Sequence, residues 1–229
     1  MELLSSRWRI QSVDQRGHGR APKPVSGYSA ENYAQDVKAM LTEKALLIGH
    51  SLGARNALVA GARYPEHVAA VVAIDFTPYI ETEVFDALDA RVAGGERIFS
   101  SLEEIRNYLS QRYPRLPEDA IERRARHGYE CVHGRWRPLA SPAAMRQTCA
   151  GLREDLSPAL KEISVPVLFL RGAESKLVSR QAWAKTRALR PDIAAREIAD
   201  ADHYVHEEQP AAVAAEVLEF WDSIQRRKQ

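Results

Sequence analysis

The chain has 229 residues, 45% hydrophobic and 28% charged, with a formal net charge of +1. A length of that order supports one enzyme-sized unit with a sizeable core and room for an inserted subdomain, and the near-neutral balance argues against nucleic acid as a partner. No apolar run approaches the roughly 20 residues that span a bilayer, and the opening MELLSSRWRIQ lacks a basic segment followed by a long apolar one, so the sequence reads as cytoplasmic with no membrane partner. Cys131 and Cys149 have neither the number nor the spacing of a zinc site or a disulfide framework and read as reduced thiols. No metal is expected.

In chain order, short apolar runs fall at Arg9 to Asp14, Ala45 to Ile48, Val68 to Asp75 and Val165 to Gly172, with a weaker one at Ile193 to Asp200. Continuous apolar runs of that length suit parallel strands covered on both faces. Helical periodicity separates them at Ser29 to Leu41, Leu52 to Tyr64, Arg180 to Leu189 and Pro210 to Gln225. The alternation predicts an α/β fold with a mostly parallel sheet. Between Phe76 and Lys161 only helical patterns are found. Ile80, Val84, Phe85, Leu88 and Val92 share one face; Ser100 and Glu103 have the spacing of a capping box; Pro117 and Pro142 each suit a first helical position. The division that follows is a core of 1–78 and 161–229 around a helical insertion of 79–160.

Ser51 is the residue that carries chemistry. It sits in Gly49-His50-Ser51-Leu52-Gly53, after an apolar strand and before a helix. A serine hydroxyl needs a base to take its proton and donors to hold the oxyanion that forms. In G-x-S-x-G the backbone makes a sharp, strained turn that exposes the hydroxyl, and the N–H of the next residue, here Leu52, faces the oxyanion. The base belongs late in the chain. His203, in IADADHYVHEEQP, follows the last strand and precedes the last helix; His206 is the runner-up.

Four stretches together resemble the α/β-hydrolase superfamily, specifically its capped, esterase-like branch: VDQRGHGRAPKP, GHSLGA, VPVLFLRGAES and DADHYVHEEQP. The resemblance covers nearly the whole chain. It implies a hydrolase with a serine, a histidine and an acid, no cofactor, a small-molecule substrate, and a helical cap between the family's sixth and seventh strands.

The sequence departs from that pattern twice. The family's usual acid is the aspartate of G-x-x-D after the seventh strand, whereas here Gly172 is followed by Ala173, Glu174 and Ser175. A neutral hydroxyl stabilises an imidazolium badly, so another carboxylate is required. Asp75, at the end of the preceding strand, is the first candidate and Glu174 the alternative. Secondly, relatives carry two strands, a third ending in His-Gly, and a helix ahead of the segment matching RIQSVDQRGHG, where this sequence has only MELLSSRW. The expectation is a sheet without strands 1 to 3 and an oxyanion hole lacking its second donor, the sequence having begun at an internal methionine of a longer protein.

The basic run Arg123, Arg124, Arg126, Arg135 and Arg137 reads as a solvated face paired with glutamates, with steering of an anionic substrate as the lesser reading. His50 and Arg16 read as structural supports, and Trp183 and Trp221 as packing. The sequence thus points to a serine hydrolase of an ester, thioester or similar activated carbonyl: Ser51 attacks, His203 is the base, Asp75 orients it and Leu52 N–H receives the oxyanion. The alternatives are a non-catalytic ligand-binding or degenerate relative of that fold, and a carbon–carbon bond hydrolase.

Overall fold

The structure, a computed structural model, describes residues 2–79, 81–93 and 97–227. In chain order the elements are α1 (Glu2–Ser5), α2 (Ala30–Met40), β1 (Ala45–His50), α3 (Leu52–Arg63), β2 (Val68–Ile74), α4 (Thr82–Ala93), α5 (Leu102–Arg112), α6 (Glu118–His127), β3 (Tyr129–Val132), β4 (Arg135–Pro138), α7 (Pro142–Gly151), α8 (Ser157–Glu162), β5 (Val167–Gly172), α9 (Arg180–Leu189), β6 (Ala194–Ile198), α10 (Val205–Glu208) and α11 (Pro210–Arg226). Four strands form one sheet in the order β1-β2-β5-β6, every pairing parallel. No helix among the described residues is long and apolar enough to cross a membrane.

Side chains of β2 alternate between the two faces, as the period of a strand requires. Ala70, Val72 and Ile74 join Leu168, Leu170 and Ile198 under Val213, Val217, Phe220 and Ile224 of α11. Val71 and Ala73 join Phe169 under Ala54, Leu58, Leu160 and Trp183 from α3, α8 and α9. Full burial of one Val, Leu or Ile contributes about 1.5–3 kcal/mol, so these two layers hold the sheet flat between helices and fix where its carboxyl ends lie. Trp221 stacks edge-on with Trp8, ring centroids 6.1 Å apart, which lays the start of the chain across α11.

The strand expected at Arg9 to Asp14 does not form; the segment has no regular structure. A strand is stable only when its backbone donors and acceptors meet a neighbour, and among the described residues none lies beside it. β1 is accordingly an edge strand, with Ile48 exposed on it. The cap-like segment also differs from expectation. Alongside α4 to α7 it contains an antiparallel hairpin, β3 against β4, whose two turn residues, His133 and Gly134, both have positive φ (51° and 75°). Paired positive φ is the signature of the type I′ turn that matches strand twist. The capping contact of α5 lies one residue later than the spacing suggested. Ser101 is the N-cap, accepting from Glu104 N, while Ser100 donates to the Glu104 carboxylate. Pro142 opens α7, Pro117 directly precedes α6, and Ile80 lies outside the described residues.

The segment between β2 and β5 has a small core of its own, built on Phe99, Ile105, Leu109, Ile121 and Ala125, and Tyr204 from the loop after β6 packs against it. α4 is tied to α7 through Asp89, which accepts from the buried Cys149 thiol at 2.9 Å and from Arg153 at 2.8 Å. Burial, then the adjacent Asp89 carboxylate, push that thiol up to about 12, so Cys149 is an inert packing residue.

Candidate active site

β1 ends at His50 and α3 begins at Leu52, so Ser51 alone makes the turn. It adopts φ 51° and ψ −113°, a conformation that costs a non-glycine residue about 1–3 kcal/mol and persists only where its surroundings over-determine it. They do so here: Ser51 N–H donates to Ile74 O of β2 at 2.9 Å, and Ser51 O accepts from Arg55 N at 3.0 Å. Gly49 is the other determinant. A Cβ at that position would stand 2.2 Å from the carbonyl carbon and oxygen of Gly53, so strand and helix touch backbone to backbone. Gly53 is different, since a Cβ there would meet nothing closer than 3.6 Å; the second glycine of the motif is not demanded by space. Gly49→Ala is expected to lower stability by about 3 kcal/mol or more, read as a fall in Tm of about 6–12 °C together with loss of activity, while Gly53→Ala stays folded.

As the first residue of α3, Leu52 has no intrahelical acceptor for its N–H, which points out of the positive end of the helix. An oxygen that gains negative charge beside Ser51 meets this donor. No second backbone donor can be assigned opposite it from the described residues, and Gln15, the nearest polar side chain to Gly53, is held by Asn56.

Asp75 follows β2 directly, also at positive φ (46°), a region that Asp and Asn enter more readily than other side chains. Its carboxylate is fully buried and saturated with donors. Oδ1 accepts from Gly172 N at 3.0 Å; Oδ2 accepts from Ser175 Oγ at 2.6 Å and from His203 Nδ1 at 2.8 Å. The His203 side chain is 12% exposed. With its Nδ1–H given to the carboxylate, the neutral ring leaves Nε2 as the acceptor. His203 is further fixed through its own carbonyl, which accepts from His50 Nε2 at 2.7 Å, and the His50 ring lies 4.5 Å from the His203 ring. Burial first, then the neighbouring imidazoles, keep His50 well below the ordinary histidine range, so it stays neutral. Since His50 is covalently next to Ser51, the same residue joins the serine turn to the histidine loop. Among the described residues no hydrogen bond links Ser51 Oγ with His203 Nε2; apo sites often have this contact long.

The structure therefore brings His203 and Asp75 together, with Ser51 one residue from their support. It does not bring Glu174 to the histidine: Glu174 pairs with Arg115 at 2.7 Å and its side chain is 52% exposed. His206 is stacked on His50 at 4.5 Å, with a buried Nδ1 that has no partner, and burial holds it below its ordinary range.

Several pairings around His203 carry no local signal in the sequence. Arg115 spans from the α5–α6 turn to both Glu174 and Glu208, and Arg124 of α6 pairs with Glu207. The Arg124 guanidinium lies between two rings, 4.1 Å from Tyr204 and 4.7 Å from Tyr113. The other arginines of the basic run behave as a solvated face: Arg123 pairs with Asp119, Arg126 with Glu122 and Arg137 with Glu130, and Arg135 is exposed. Arg16 binds Asp36 and Gly27 O, away from this chemistry. Between the insertion and the histidine loop opens a cavity of about 360 Å³, lined among others by Arg112, Tyr113, Lys176, His203 and Tyr204. Arg112 donates to Tyr113 Oη and ion-pairs with no carboxylate among the described residues.

Comparison with known proteins places this geometry. The model of the alpha/beta hydrolase family matches residues 2–216. A 2-(acetamidomethylene)succinate hydrolase of Mesorhizobium japonicum (strain LMG 29417 / CECT 9101 / MAFF 303099) is 50% identical over 227 residues, spanning 97% of this chain and 82% of that protein. The crystal structure of an E-2-(acetamidomethylene)succinate hydrolase superposes with a TM-score of 0.89 at 51% identity, over 91% of this chain and 80% of that one. The esterase YbfF of Escherichia coli (strain K12) is 28% identical over 224 residues, 92% of this chain and 82% of that protein.

Proposed function

This chain belongs to the alpha/beta hydrolase family, and from that premise we propose that it hydrolyses the acyl C–N bond of an acidic N-acyl enamine through an acyl-enzyme on Ser51. The observation that carries the chemistry is the buried contact of His203 Nδ1 with Asp75 Oδ2 at 2.8 Å, beside a serine held at a strained turn. Ser51 Oγ attacks the acyl carbonyl and gives its proton to His203 Nε2. The carbonyl oxygen, now negative, takes the N–H of Leu52. Collapse breaks the C–N bond, and the leaving nitrogen receives the proton from His203. Water, deprotonated by the same histidine, then releases the acid and restores Ser51. Asp75 holds the imidazole in the required tautomer and stabilises its charged form.

The substrate class rests on the relative that is 50% identical. The compound in its name bears one acetamido carbonyl and two carboxylates. Arg112 and Lys176 line the cavity that contains His203, alongside Asp202 and Glu208, and supply positive charge for such a molecule; among the described residues Arg112 ion-pairs with no carboxylate that would compete. Residues 79–160 serve, in this reading, as the cap that closes over it. Ester cleavage, which the motif alone favours, uses the same acyl-enzyme with an easier leaving group. The second reading, carbon–carbon bond hydrolysis, is favoured by the double bond conjugated to a carboxylate in that compound; it forms no acetyl-serine.

The test is to incubate the purified chain with 2-(acetamidomethylene)succinate, follow acetate release, and look for acetyl-Ser51 in quenched samples by mass spectrometry. Acetate release supports acyl transfer, with acetyl-Ser51 as its direct trace; turnover without acetate favours the second reading. Arg112→Gln is expected to raise KM for the diacid about 10- to 100-fold, the loss of a hydrogen bond to a charged group, and to leave p-nitrophenyl acetate hydrolysis unaltered. An unchanged KM would remove Arg112 from the substrate contacts.

A further inference from the structure

We propose that Ser175 is a positioning residue for His203, acting through Asp75; this rests on the reading of Asp75 as the acid. Its hydroxyl is 2.6 Å from Asp75 Oδ2, the same oxygen that faces His203. The contact is built into the local fold. Ser175 is 7% exposed, its N–H closes a turn onto Gly172 O at 3.0 Å, and its Oγ accepts from Val178 N at 3.1 Å. With Val178 occupying a lone pair, the single hydroxyl proton is directed at Asp75. Together with Gly172 N–H on Oδ1, the end of β5 and the loop after it grip both oxygens of the carboxylate and set the plane that His203 sees.

Two consequences follow for the histidine. The grip removes rotational freedom from Asp75, so the imidazole has one orientation. The hydroxyl also takes a share of the charge on Oδ2, because a donor to a carboxylate stabilises its negative form. The hold of Asp75 on a protonated His203 is thereby weakened, and loss of the hydroxyl strengthens it. The other groups around His203 are His50 from the end of β1, His206 and Tyr204 of its own loop, and Arg124 from α6. None of them touches Oδ2.

The experiment is the rate of Ser51 labelling by a fluorophosphonate as a function of pH, which needs no substrate, for wild type, Ser175→Ala, Ser175→Thr, Asp75→Asn and the double variant Asp75→Asn/Ser175→Asp. Ser175→Ala is expected to label about tenfold more slowly and to move the acidic limb of the profile about half a pH unit upward. Ser175→Thr, which retains the hydroxyl, returns the limb to its wild-type position. The double variant is expected to regain at least about tenfold over Asp75→Asn, since a carboxylate at 175 returns a negative charge beside the neutral amide. A Ser175→Ala profile that coincides with wild type overturns the proposal. Should that variant not fold, a double variant no faster than Asp75→Asn overturns it instead. Labelling of Asp75→Asn at the wild-type rate brings down the reading of Asp75 itself, an outcome distinct from failure at Ser175 alone.

Discussion

Ser51→Ala is expected to lower hydrolysis by about 10⁶-fold and to abolish fluorophosphonate labelling, with the adduct in the unmutated chain mapping to Ser51. The size follows from what the hydroxyl does in the proposed mechanism: without it there is no acyl-enzyme, and the remaining groups contribute only binding and electrostatic stabilisation. Fold is retained, because alanine at φ 51° is no more strained than serine, and the bonds holding that turn are made by the backbone of residue 51 rather than by its side chain. Thermal unfolding close to that of the parent chain is therefore the control. The non-catalytic alternative makes the opposite forecast: a folded, ligand-binding parent chain that takes no label at all.

Asp75→Asn is expected to cost about 10⁴-fold in kcat with little change in KM. Asparagine tolerates the positive φ of this position and has nearly the same volume, so the backbone after β2 stays in place. The chemistry does not. Either the amide N–H₂ faces His203 Nδ1 and forces the proton onto Nε2, where the base must be free, or the amide oxygen faces it without the charge that stabilises an imidazolium. Glu174→Gln is the matched control, expected near the wild-type rate because Glu174 is an exposed partner of Arg115. A severe loss there, with Asp75→Asn active, would exchange the roles of the two acids.

The parallel sheet was legible because β2 and β5 are covered on both faces and so consist of uninterrupted apolar residues, and the helices between them repeat at 3.6. Of the candidate site, the contact of His203 with Asp75 was legible, because His203 follows the last strand within a recognisable motif and Ser175 leaves the usual acid position empty of charge; Ser51 was singled out by its glycine-flanked turn after a strand. The segment Arg9 to Asp14 has a strand's composition but no neighbour among the described residues, a property of the partner rather than of the segment. The hairpin of β3 and β4 was hidden by arginines that alternate outward along it; the His133-Gly134 turn between short alternating runs was its available signal. Arg115, and the partner of Arg124, which the sequence placed in a basic run paired with glutamates, could not be read, because Glu174, Glu207 and Glu208 lie 59 to 93 residues away and nothing local announces pairings of that range.

Those same pairings constrain how the protein can be rebuilt. The arginines belong to the insertion, whereas the glutamates flank His203 or follow β5, and Glu208 also accepts from Asp202 N, one residue before the histidine. The insertion is consequently not an exchangeable module. A chimaera that borrows the cap of a relative to gain its substrate range keeps a histidine loop without counter-charges, with Glu207 and Glu208 left without the arginines they now meet. Successful grafts will be those that carry both halves of each ion pair across the junction.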